Sequence, residues 1–181
     1  MTRTHIGMRS LLTALALVIT GALVALTAPV APAQADSASL GFAVDKRFPS
    51  HLDLRVLKID NREERLDFVV ALTEFAPRRT TALVVFKRFG RPKSPEFRVG
   101  WSRVEGKRQG KVLLRVTDEG TERVRCPGLR FQIQKADARI RMSIPQTCLG
   151  SSAGTIKAHV VSQRRTGEEA DWLGALVVTR G

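Results

Sequence analysis

The pentapeptide Gly150-Ser151-Ser152-Ala153-Gly154 has the G-x-S-x-G spacing of a nucleophile elbow, where a sharp strand-to-helix turn exposes a serine hydroxyl. The residues around it do not continue that pattern. An elbow leads into a helix, and its partners follow in the order acid, then histidine. Here a strand-like stretch, Thr155 to Gln163, comes next, and His159 precedes Asp171. The pentapeptide reads more simply as a Gly/Ser loop. Paired carboxylates occur at Glu63-Glu64, Asp118-Glu119 and Glu168-Glu169. They would suit a small hydrolase only if the fold set two carboxyls across a cleft, about 5 to 9.5 Å apart in a glycosidase. All three pairs fall in turn-like segments, where acidic side chains are ordinarily solvated. Asp60, Asn61, Glu63 and Glu64 offer oxygen ligands of the kind Ca²⁺ takes, but without the regular spacing of a dedicated loop. There is no Walker loop, dinucleotide fingerprint or His-x-x-x-His spacing. Neither a metal nor a cofactor is expected.

The arginines are more specific. Arg123, Arg125, Arg130, Arg139 and Arg141 alternate with apolar residues, interleaved with Gln132, Gln134 and Ser143. If the runs beginning at Leu129 and Ala138 pair as a hairpin, these side chains share one exposed sheet face. Guanidinium groups bind sulfate, phosphate and carboxylate bidentately, so such a face suits a polyanion. The competing explanation is an ordinary solvated face, since antiparallel sheets normally present charge to water on one side and charge discourages edge pairing. Of the aromatics, Trp101 is in phase with Phe97 and Val99 and is expected to pack in the core. Trp172 follows Glu168, Glu169 and Asp171 in an expected loop and is the aromatic most suited to stacking on a glycan.

The chain holds two cysteines, Cys126 and Cys148. A metal site would need further ligands, and neither His51 nor His159 lies near the pair in sequence. In an oxidising compartment an isolated pair is most simply a disulfide. Closing a loop of about 20 residues stabilises a domain by about 3 kcal/mol on the chain-entropy argument.

Export sets that compartment. Arg3 and Arg9 form a positive n-region ahead of an uncharged apolar run from Leu11 to Leu26. Pro29, Pro32 and the small-x-small tripeptide Ala33-Gln34-Ala35 follow, which is the form a signal peptidase accepts. Residues 1–35 are therefore expected to be a helical signal peptide cleaved after Ala35. The alternative is an uncleaved anchor, although 16 residues fall short of the roughly 20 needed to span a bilayer. After cleavage no stable membrane insertion is expected. Losing Arg3 and Arg9 lowers the net charge from +13 to +11. Such a balance reflects either Arg-rich coding or an anionic partner. Export argues for a polymer or glycan of the cell envelope, and against nucleic acid. Nothing in the residues specifies an oligomeric state.

Residues 36–50 read as a flexible lead-in, and 51–181 as one domain. Period-two alternation dominates that domain. It runs through Asp53 to Asp60, Leu66 to Thr73, Thr80 to Arg88, Phe97 to Ser102 and Lys111 to Thr117. It continues through Val124 and Cys126, Leu129 to Gln134, Ala138 to Ile144, Thr155 to Gln163 and Ala175 to Thr179. Gly/Pro loops such as Phe89 to Pro95 separate the runs, because proline cannot pass through a ladder. Many short strands and no amphipathic helix predict an all-β, antiparallel two-sheet sandwich, jelly-roll or immunoglobulin-like.

Some of these stretches also resemble a loose group of small exported β-sandwich proteins of high-GC bacteria, mostly uncharacterised. They are Asp53-Leu54-Arg55-Val56 with its hairpin, Pro95-Glu96-Phe97-Arg98-Val99, Cys126 through Ile144-Pro145-Gln146-Thr147-Cys148-Leu149-Gly150, and Asp171-Trp172. The resemblance covers most of 51–181 and implies a sandwich shaped like sugar-binding modules, without assigning an activity. Members of the group tend to be acidic in the loop before Pro95. This chain carries Lys87, Arg88, Arg91 and Lys93 there, so a ligand or metal role of that loop does not carry over. The leading expectation is a secreted or envelope-associated, non-enzymatic binding module. A small hydrolase using loop carboxylates and a purely structural envelope protein are the alternatives.

Overall fold

Alternating side chains put every second residue of a strand on one face, and this chain uses that rule to build two sheets. The computed structural model describes residues 36–103, 110–150, 154–164 and 168–181; the expected signal helix at 1–35 lies outside them. The strands are β1 (Asp36–Gly41), β2 (Leu54–Asn61), β3 (Arg65–Leu72), β4 (Ala82–Arg88), β5 (Glu96–Ser102) and β6 (Gly110–Thr117). They continue as β7 (Gly120–Arg123), β8 (Arg130–Gln134), β9 (Arg139–Pro145), β10 (Ile156–Gln163) and β11 (Glu169–Val178), with one 3-10 turn at Gln146–Leu149. The five-stranded sheet has the order β1-β2-β3-β9-β8 and the six-stranded sheet β11-β10-β4-β5-β6-β7. Neighbours are antiparallel throughout. The fold is therefore an all-β sandwich of two antiparallel sheets.

The core lies between the sheets. Leu57, Ile59, Leu66, Phe68, Val70, Ile140, Met142 and Ile144 come from the five-stranded sheet; Val84, Phe86, Val99, Leu113, Ile156 and Val160 come from the other. Phe86 links both, meeting Phe68 at 5.3 Å between centroids and stacking on Phe97 at 5.4 Å. Trp101 packs against the same core, with its indole N–H donating to the Pro77 carbonyl at 3.1 Å. β4 is buried on both faces. Ala82, Val84 and Phe86 join the main core, while Leu83 and Val85 gather with Val112 and Val161 in a smaller cluster. That is why this strand reads as a continuous apolar run.

Three expectations need correction. Residues 36–41 are not part of a flexible lead-in: they form edge strand β1, in register from Asp36↔Asn61 to Gly41↔Val56. The Ser-Ala-Ser-Leu alternation puts Ala38 against the core and leaves Ser37 and Ser39 exposed, a signal too short to stand out beside a signal peptide. β11 begins at Glu169, not near Ala175, and takes in Trp172. Register shifts along its pairing with β10 break the two-residue alternation. The chain also leaves the sheet after Arg123, so Val124 and Cys126 pack on the core from a loop rather than from a strand.

The expected disulfide is present: Cys126 and Cys148 are joined, with Cα atoms 5.4 Å apart. β11 packs against β1 and β2, which brings the two sheets together along one side. Among the described residues, no helix is long and apolar enough to cross a membrane.

Candidate anion-binding cleft

β4 ends at Arg88, and the chain cannot go straight into β5. The Phe89 N–H donates to the Thr155 carbonyl at 2.9 Å, and Gly90 then turns with φ +73°, a conformation open to glycine at little cost. A tight turn follows, in which both the N–H and the hydroxyl of Ser94 donate to the Arg91 carbonyl. Pro92 and Pro95 keep this loop out of the ladder, so it stands as a wall carrying Arg91 and Lys93. The opposite wall is the β6–β7 hairpin and the segment after it. Arg115 and Glu122 pair across that hairpin at 2.6 Å. The Val124 N–H donates to the Leu113 carbonyl at 2.9 Å, holding the chain beside β6 as it passes from Arg123, the last residue of β7, to Arg125 outside the sheet. The disulfide then ties Cys126 to the 3-10 turn, and Cys148, Leu149 and Gly150 close the third side.

Between these walls is a cleft of about 880 Å³, within the size of small-molecule sites. Phe97, Val124 and Leu149 supply its apolar lining. Among the described residues, Arg88, Arg91, Lys93, Arg115, Arg123 and Arg125 supply six positive charges against the single carboxylate of Glu122, which is already paired. Arg91, Lys93 and Arg125 make no ion pair among the described residues. Cations brought together without anions repel one another, and an incoming sulfate, phosphate or carboxylate relieves that repulsion. Arginine adds bidentate hydrogen bonds to the Coulomb attraction.

The five arginines picked out from alternation do not share one face. Arg123 and Arg125 lie in this cleft. Arg130 on β8 and Arg139 and Arg141 on β9 belong to the five-stranded sheet. The reason is topological: the chain crosses from one sheet to the other between Arg123 and Arg130. The face that holds Arg130 and Arg141 is mixed in charge. Asp60 and Asp67 lie directly opposite each other in its strand register, Ser143 follows Asp67, and Arg130 follows Ser143. Arg62 holds Asp60 at 2.5 Å, and Arg141 Nε donates to Gln134 Oε1 at 3.1 Å. Arg88, Arg91, Lys93 and Arg115 join the cleft from elsewhere in the chain. The loop cations were visible as a cluster in sequence; their convergence with Arg123 was not.

No family model matches the chain, and no curated protein sequence does.

The other chemical candidates fall elsewhere. Glu63 and Glu64 are exposed on the β2–β3 turn, where their carbonyls accept from Arg180 and from the Gln146 N–H. Asn61 is fully buried; its amide donates to the Gly154 carbonyl at 2.8 Å and its oxygen accepts from Gln146 Nε2 at 2.9 Å. That engages it as a tether between loops rather than as an ion ligand. No group of three or more His, Cys, Asp or Glu among the described residues is placed to hold a metal. Ser151 to Ala153 lie outside the described residues. Gly154 leads into strand β10, His159 sits 5.9 Å from the ring of Trp172, and Asp171 accepts backbone N–H groups from Leu54 and Trp172.

Proposed function

We propose that this chain is an exported, non-enzymatic binding module that holds anionic polymers of the cell envelope in the cleft beside the disulfide. The observation that carries the reading is the cleft's lining, six cations against one already paired carboxylate. Export is supported by the Arg3/Arg9 n-region, the apolar run from Leu11 to Leu26 and the Ala33-Gln34-Ala35 tripeptide. It is supported as well by a disulfide of the kind that persists in oxidising compartments. The resemblance to small exported sandwich proteins of high-GC bacteria fits the same reading.

Retention on immobilised heparin, a sulfated polymer standing for an anionic wall polymer, tests it. Binding should weaken steeply with salt, because each contact releases a counterion. Arg91→Ala and Arg125→Ala should each reduce the slope of log affinity against log salt by about one. The double variant Arg139→Ala/Arg141→Ala, on the outer face of the five-stranded sheet, should leave the slope unchanged. Loss of binding in that variant, with none in the cleft variants, would move the site to the sheet face. Binding indifferent to salt would sink the proposal.

A further inference from the structure

The sandwich has a second cleft, of about 610 Å³, between the β1–β2 loop and the start of β11. It lies at the opposite end from the basic one: Trp172 pairs with Val161, which pairs with Leu83 near the start of β4, whereas Arg88 ends that strand. Phe42, Val44 and Trp172 line it and are about half exposed, at 50%, 51% and 53%. Large apolar side chains this exposed are few among the described residues, and three of them meet here. The cleft is also negative, on a chain whose net charge is +13. Asp45, Asp53 and Asp171 line it, against the single cation Arg47.

Arg47 is committed to Asp45, its Nε donating to Oδ1 and its Nη2 to Oδ2. The other two carboxylates have only neutral donors. Asp53, 1% exposed, accepts from the Asp45 N–H and the Thr73 hydroxyl. Asp171 accepts the N–H groups of Leu54 and Trp172, both at 2.8 Å. Neither is in an ion pair among the described residues. A buried carboxylate without a cation is costly unless something completes it.

We infer that this cleft is a binding site for an organic ammonium ligand, seated against Trp172 and Phe42 with its charge facing Asp171 and Asp53. Two kinds of attraction converge on such a ligand. The faces of aromatic rings are negative and attract cations, most strongly for tryptophan and for quaternary ammonium groups. The carboxylates of Asp53 and Asp171, neither of them in an ion pair among the described residues, add a Coulomb term that a neutral sugar stacked on Trp172 would not collect. Arg47, paired with Asp45 and within the field of Asp171, offsets part of this charge and leaves the lining net negative.

Choline and its neutral carbon isostere 3,3-dimethylbutan-1-ol separate these contributions. In calorimetric titrations of the whole protein, choline should bind about tenfold or more tightly than the isostere. In a Trp101→Phe background, the emission of Trp172 should shift on adding choline. Trp172→Ala should abolish binding, Trp172→Phe should keep most of it, and Asp171→Asn should weaken it about tenfold. Unchanged circular dichroism would show that each variant is folded. Equal binding of choline and the isostere would overturn the inference, as would glucose binding as well as choline. Absence of heat or spectral change with choline at about 10 mM, well above the range of specific ammonium sites, would overturn it too.

Discussion

A Cβ built on Gly100 would lie 2.0 Å from the carbonyl oxygen of Ala82 and 2.9 Å from the Cα of Leu83. Both contacts are backbone, so no side chain can swing aside to relieve them. Gly100 is itself buried in the middle of β5, opposite Leu83 of β4. Gly100→Ala should therefore force β4 and β5 apart and cost about 3 kcal/mol, the upper part of the range for overpacking. Urea unfolding would show it as a lower midpoint at unchanged slope.

Asp45 offers a gentler test at the same scale. Hydrogen bonds from the Arg47 guanidinium, and then from its backbone N–H, pull the Asp45 carboxyl down from the ordinary 3.8 to about 2. Because the folded value is the lower one, the stability this pair contributes is present above pH 3.8 and is lost as pH falls toward 2. Arg47 is largely exposed and Asp45 only part-buried, so the contribution is small. An NMR titration should find the Asp45 midpoint near 2. Arg47→Ala should return it to the ordinary carboxylate range, and an unchanged midpoint would remove Arg47 as the cause.

Among the elements, the disulfide and the 3-10 turn matter most to the basic cleft. After Arg123 the chain leaves β7, and 124–129 has no strand partner of its own. Cys126 anchors that segment to Cys148 on the turn, while Gln146 in the same turn is held by Asn61 and by the Arg62 carbonyl. The wall carrying Arg125 is thus held by the Val124 N–H on β6, by Arg65 on the Gly128 carbonyl, and on the side of the 3-10 turn by the disulfide. Replacing both cysteines with serine should lower stability by about 3 kcal/mol. It should also weaken heparin retention by loosening the Arg125 wall, even at temperatures where the variant is fully folded. Retention equal to the parent's would show that the disulfide serves stability alone.

At the scale of the molecule, charge is unevenly spread. One end of the sandwich gathers Arg88, Arg91, Lys93, Arg115, Arg123 and Arg125, and the other gathers Asp45, Asp53 and Asp171 beside exposed aromatics. The salt dependence expected on heparin belongs at this scale, since a field built from six side chains on three separate segments acts on a polymer as a unit.

Local chemistry accounts for much of what the sequence alone determines. Alternation along Leu129 to Ile144 placed Phe131, Ile133, Ile140, Met142 and Ile144 on the core side, because side-chain direction in a strand depends only on neighbouring residues. Two cysteines in a chain expected to be exported suffice to expect one bridge. Where a segment carries a bulge, as β11 does, that local rule lapses, and Trp172, which the sequence places in a loop, stands on a strand.

The clefts themselves could be decided only by tertiary structure. Arg123 and Arg130 are seven positions apart yet sit on different sheets, while Arg91 and Arg125, far apart in the chain, line one cavity. Phe42 and Trp172 meet in the same way. Which strands lie side by side depends on how two whole sheets bury their apolar faces against each other, a non-local balance that no window of residues contains.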